Sequence, residues 1–100
     1  MAVGAPDYIP RMFISGQSSQ QVKVSVTDSD TTGTFSQEVK SFLLFNYGAN
    51  DVHFELDATS TTNKFIVPNK SWIFVDLPVT VVHLICAAGE TATCYLLGVY

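Results

Sequence analysis

Charge is what this chain has least of. Only 14% of its 100 residues are Asp, Glu, Lys or Arg, against the ~25% usual in soluble domains. Five basic residues stand against nine acidic ones, a formal net charge of −4. A nucleic-acid backbone is thereby excluded as the main partner, because counterion release needs a basic face. A membrane surface is excluded for the same reason, since no polybasic patch exists to meet anionic headgroups. Hydrophobic residues make up 47% of the chain, so disorder is excluded as well. A lone monomer with a generously solvated surface is not expected either, because too few charges are available to cover it.

Long apolar runs are also missing. The longest, Val79 to Ala88, is broken by Thr80 and His83 and falls short of the ~20 residues that span a bilayer as a helix. The first residues, Met1 to Asp7, have no basic stretch followed by an apolar one. No signal peptide is therefore expected, and folding in a cytosol is. Helical periodicity is absent at useful length. Thr34 to Phe45 comes closest, but Phe, Val, Ser and Thr dominate it. Cysteine is scarce, with only Cys86 and Cys94. The turn Ala87 to Thr91 between them is read as a hairpin. A three-residue loop would face the two thiols across the strands, and a two-residue loop would put them on opposite faces. In a reducing compartment two buried thiols are favoured over a disulfide.

What is present is period-two alternation. Val22, Val24 and Val26 alternate with Gln21, Lys23, Ser25 and Thr27, and Val52, Phe54 and Leu56 alternate with His53 and Glu55. These are half-buried antiparallel strands. Tyr8 to Ser15 reads as a first strand, with Pro10 suiting an edge. Thr34 to Val39 and Lys40 to Asn46 read as one bent strand or two. Lys64 to Val67 and Ser71 to Val75 flank a turn at Pro68-Asn69, and Val79 to Ala87 and Thr93 to Val99 complete the set. About eight short strands at this spacing predict an all-β fold, an antiparallel β-sandwich of jelly-roll-like form. The organisation expected is an N-terminal arm or edge segment over residues 1–12 and a single sandwich domain over 13–100.

The segments Ser71 to Val75 and Val81 to Ile85 are apolar on both faces. A sandwich covers only one face of a strand, so the other needs a loop, the N-terminal segment or another chain. With charge so scarce, a partner chain is the favoured cover. Trp72, Phe74, Val82, Leu84 and Tyr95 are the residues expected at a subunit interface.

Candidate chemistry is thin, and no catalytic residue, metal site or cofactor is assigned. Asp28 to Gly33 opens like a calcium loop. Its fifth position is Thr32, however, and its twelfth is Val39, so a turn bonded to its own backbone is the better reading. His53 and His83 are the only histidines. A cupin-like metal enzyme would require them within ~5 Å of each other. Cys86 and His83 stand three apart on one strand, pointing to opposite faces, and cannot share a proton. No Gly-x-Ser-x-Gly elbow or glycine-rich phosphate loop occurs. Tyr8, Tyr47, Trp72 and Tyr95 could instead line a sugar platform, with Tyr47, Asn50 and Asp51 bordering its groove. That makes a carbohydrate-binding module the alternative function.

One resemblance bears on the choice. The chain runs Asn46-Tyr47-Gly48-Ala49-Asn50, then a Thr-rich loop from Leu56 to Phe65, then Val67-Pro68-Asn69. There follow Leu77-Pro78-Val79, the step Ala87-Ala88-Gly89, and a C-terminal Leu96-Leu97-Gly98. This half of the chain resembles small virion proteins of tailed bacteriophages, of the capsid-decoration (cement), head-fibre or tail-accessory kind. The resemblance implies a non-enzymatic structural part of a virion, made in the host cytoplasm. It also implies a homo-oligomer, a homotrimer first among them, bound to capsid or another virion protein. An extended N-terminal segment would suit an arm lying on a neighbour, and Asp7, Tyr8, Ile9, Pro10 and Arg11 are the residues expected to touch the capsid.

Overall fold

The computed structural model describes residues 18–100. Eight strands follow in chain order: β1 Ser19–Val26, β2 Thr31–Val39, β3 Ser41–Ala49, β4 Val52–Leu56, β5 Phe65–Val67, β6 Trp72–Val75, β7 Val79–Ile85 and β8 Ala92–Val99. They form two four-stranded antiparallel sheets with orders β1-β8-β3-β6 and β2-β7-β4-β5. The first is sheet A and the second sheet B. Consecutive strands mostly belong to opposite sheets, which is the double Greek key of a jelly roll. The expected strand at Tyr8 to Ser15, the arm at 1–12 and the capsid contacts Asp7, Tyr8, Ile9, Pro10 and Arg11 lie outside the described residues.

Alternation explains the packing. Val24 and Val26 from β1, Phe42 and Leu44 from β3, Val52 and Phe54 from β4, and Leu96 from β8 all point between the sheets and are buried. Phe42 sits at the centre, 6.4 Å from the Phe35 ring and 6.5 Å, edge-on, from Phe54. The segment from Thr34 to Asn46 is two strands rather than one bent strand. Lys40 is the corner where the chain leaves sheet B for sheet A, and its N–H donates to the Val99 carbonyl at 2.7 Å.

The expected β7–β8 hairpin does not form. The turn closes, with the Glu90 N–H donating to the Ala87 carbonyl at 3.0 Å and Gly89 at φ +78°, the left-handed position that a type II turn gives to glycine. It carries the chain from sheet B to sheet A, so β7 and β8 are not paired. Cys86 and Cys94 are free thiols, both turned into the core.

Two polar groups fix the geometry of the loops. Asn46 is fully buried, and its amide donates to the Asn50 carbonyl at 2.8 Å and the Val67 carbonyl at 3.0 Å, while its own carbonyl oxygen accepts from Gly48 N–H at 2.9 Å. It thereby holds the β3–β4 turn against β5. At the far end of β4, Asp57 accepts from the N–H groups of Thr80 and Val81, clamping the long β4–β5 loop to β7.

Candidate docking surface

The outer face of sheet A is apolar across β8, β3 and β6, with β1 as its polar border. Register places Lys23, Tyr95, Phe45 and Trp72 in one cross-strand row, and Gln21, Leu97, Leu43 and Phe74 in the next. Alternation sends every one of these side chains away from the core. Tyr47 joins them beyond an irregularity in β3 between Asn46 and Gly48. Trp72 is 64% exposed, Tyr47 55% and Tyr95 41%. Leu43, Phe45, Phe74 and Leu97 are half-buried beneath and between them. Among the described residues, the polar groups of this face stand at its margins, with Gln21, Lys23 and Ser25 on β1, Thr93 at the start of β8 and Lys70 ahead of β6. A large apolar patch with a polar rim is the composition of a docking surface rather than of ordinary solvated protein.

The aromatic rings hold one another in place. Phe45 and Tyr47 lie 6.2 Å apart at 61°, and Tyr47 and Tyr95 lie 6.3 Å apart at 82°. The Lys70 ammonium stands 4.1 Å from the centre of the Tyr47 ring and also donates to the Tyr47 carbonyl. These rings meet edge to face. A sugar platform needs coplanar rings, and neither of these pairs supplies one.

Sequence reasoning expected Trp72, Phe74 and Tyr95 at an interface, and all three lie on this face. Val82 and Leu84 do not. Both are 0% exposed in the chain's own core, because β7 turns them inward against sheet A and turns Val81, His83 and Ile85 outward. The doubly apolar character of β7 is thus shared between the core and the outer face of sheet B. Sequence reasoning missed Leu43, Phe45 and Leu97. The signal was there: Phe42-Leu43-Leu44-Phe45 is apolar on both faces, like the two segments that were noticed.

The outer face of sheet B is different in kind. His83 Nδ1 lies 2.8 Å from Asp30 Oδ2, and Lys64 Nζ lies 3.0 Å from Glu55 Oε2. Burial alone would raise the Asp30 pKa, but the Ser60 N–H and the His83 side chain outweigh it and hold the carboxyl below its ordinary range. Glu55 is lowered too, first by the Leu56 N–H and then by Lys64. His53 turns its Nδ1 to the Lys64 carbonyl at 3.0 Å. His53 pairs with Ile85, and His83 pairs with Glu55. The two imidazoles are therefore diagonal neighbours, ~7–8 Å apart at the backbone, on an open sheet face with separate partners. Among the described residues, no three His, Cys, Asp or Glu side chains converge to hold a metal ion.

The loop read as a turn bonded to its own backbone does so only in part. Ser29 N–H donates to Thr27 Oγ1, and Thr31 Oγ1 donates to the Ser29 carbonyl. The two aspartates reach further: Asp28 accepts from Gly89 N–H, and Asp30 from Ser60 N–H. They tie three loops together at one end of the sandwich.

No family model matches the chain, and no curated protein or solved structure matches it either.

Proposed function

We propose that this protein is a non-enzymatic structural component of a bacteriophage virion, a capsid-decoration protein that stabilises the head by binding across capsid subunits. The observation that carries the reading is the aromatic outer face of sheet A, where Tyr47, Trp72 and Tyr95 stand in water on a rigid sheet. Tyrosine and tryptophan on a fixed backbone are the residues that dominate protein–protein contacts, because they bury much area and lose little rotamer freedom. The resemblance of the second half of the chain to virion proteins points the same way. Cementing needs no chemistry beyond contact. Area buried against neighbouring shell subunits makes their separation more costly, and the repeating lattice multiplies a modest single-site affinity. A carbohydrate-binding module is the weaker reading, because the rings on this face meet edge-on.

The test is co-sedimentation. The purified chain is mixed with shells assembled from the major capsid protein of the genome that encodes it. Saturable binding to shells, lost in Trp72→Ala with Tyr95→Ala, is the expected result. Failure to bind shells, together with binding to an immobilised glycan, would replace this reading with the carbohydrate one.

A further inference from the structure

β6 is an edge strand of sheet A, and among the described residues no other strand pairs with its outer side. Its four residues, Trp72, Ile73, Phe74 and Val75, are apolar on both faces. The Asn46 N–H donates to the Ser71 carbonyl, which sets the phase of the β3–β6 ladder. Ile73 and Val75 therefore turn their backbone groups toward β3. Trp72 and Phe74 turn theirs to the open edge. Natural edges carry a charge, a proline or a bulge to prevent pairing. The opposite edge of the sheet has such devices: β1 alternates Gln21, Lys23 and Ser25 outward, and the Gln20 side chain accepts from Ser36 of β2. Beside β6, between it and β5, runs a groove of about 440 Å³, walled in part by Phe65, Ile73 and Leu77. Phe65 and Leu77 are more than half exposed.

We propose that β6 pairs antiparallel with β6 of a second copy about a two-fold axis, joining two A sheets into one continuous sheet of eight strands. The ends of the strand select this occupant. Lys70 precedes β6 and Asp76 follows it, and Asp76 has no ion-pair partner among the described residues. Antiparallel self-pairing sets each Lys70 opposite the other copy's Asp76, and the Lys70 ammonium, which rests on Tyr47 in the single chain, swings to that carboxylate across the new seam. One register satisfies every position at once. With the axis at Ile73, Trp72 lies opposite the second copy's Phe74, Ile73 opposite Ile73, and Lys70 opposite Asp76. The Trp72–Phe74 pairs fall where both backbones present free N–H and C=O groups, so four ladder hydrogen bonds form. Moving the axis to Phe74 would set Trp72 against Asp76 and Lys70 against Pro78, losing both the aromatic and the charge match. The pairing covers the groove, and the exposed apolar area of Trp72, Phe65 and Leu77 contributes to the ~800 Å² per partner of a standard interface.

This inference stands apart from the virion reading, although the joined sheet would offer a shell a doubled aromatic face. A dimer that ignores shells sinks only that reading, whereas a shell-binding monomer or trimer sinks only this one.

The experiment is cysteine cross-linking at the axis. Ile73 opposite Ile73 is a non-hydrogen-bonded pair, with Cα atoms about 4.5 Å apart, inside the range a disulfide bridges. Ile73→Cys is treated with oxidised glutathione. Two thiols give up two protons and two electrons, and the glutathione disulfide is reduced to two thiols. A covalent dimer as the main species is expected, with only a trace from Phe74→Cys, whose opposite residue is Trp72. Background is low because Cys86 and Cys94 are buried with raised pKa values, about 11 and about 12. Sedimentation equilibrium then follows the charges. Lys70→Glu and Asp76→Lys should each weaken the dimer about tenfold, from like charges facing across two symmetric pairs. The double swap should restore it. Thermal melts confirm folding, and if Lys70→Glu unfolds, Asp76→Lys and the cross-link carry the test. A folded Ile73→Cys that stays monomeric, a trimeric wild type, or a double swap as weak as the single ones would overturn the proposal.

Discussion

Trp72→Ala separates folding from association. A tryptophan side chain carries roughly 250 Å² of surface, and 64% of Trp72 is in water. Covering that exposed part with a partner removes roughly 160 Å² from water and stabilises the contact by up to about 4 kcal/mol at ~25 cal/mol per Å². The smaller part that the fold itself covers is worth at most about 2 kcal/mol, less because the unfolded chain already hides some of it. Removing the ring should therefore weaken association by about 2–4 kcal/mol, roughly 30- to 1000-fold in Kd. The urea midpoint should move only slightly. Trp72 is also the only tryptophan in the chain, so its fluorescence reads the event directly. In wild-type protein the emission should shift to the blue, and acrylamide quenching should fall, as capsid shells are titrated in. Co-sedimentation of Trp72→Ala with the same shells completes the comparison. If wild type binds shells while the emission stays unchanged, or if Trp72→Ala binds them as tightly as wild type, the sheet A face is not the contact surface.

Other outcomes follow from the core and the loops. Phe42→Ala removes a fully buried ring between Phe35 and Phe54 and should cost about 3–5 kcal/mol in urea unfolding, a large share of a small domain's ~5–15 kcal/mol. Gly98→Ala would place a Cβ 2.7 Å from both Phe35 Cε1 and Val39 Cγ1, and the overpacking should cost about 1–3 kcal/mol by the same assay. Asp30 holds a pKa below its ordinary 3.8. Its stabilising contribution is therefore present above that value and is lost as pH falls through the lower folded one. Thermal melts of wild type and Asp30→Asn should differ at neutral pH and converge in strong acid. Neither cysteine should react with a thiol-specific dye until the chain unfolds, because burial keeps both protonated.

Much of the architecture was legible in the chain. Alternating Val22-Lys23-Val24 and Val52-His53-Phe54 fixed strands, their buried faces and an all-β class, because a period of two permits one face to be buried and one wetted. Turn residues fixed where those strands end. The scarcity of charge announced exposed apolar surface, and the jelly-roll form followed from strand number and spacing. Alternation is silent, however, where both faces are apolar. Nothing local distinguishes Val82 and Leu84, which fill the core, from Trp72 and Phe45, which stand on the outer face of sheet A. Pairing across long sequence separations made that decision. Strand order did the same for the thiols, because the Ala87–Glu90 turn looks like a hairpin in sequence yet crosses between sheets. Local sequence specifies backbone preference and periodicity, which are short-range quantities. Which sheet a strand joins is set by the burial of the whole chain at once, and only that arrangement gathered Leu43, Phe45, Tyr47, Trp72, Tyr95 and Leu97 onto one surface.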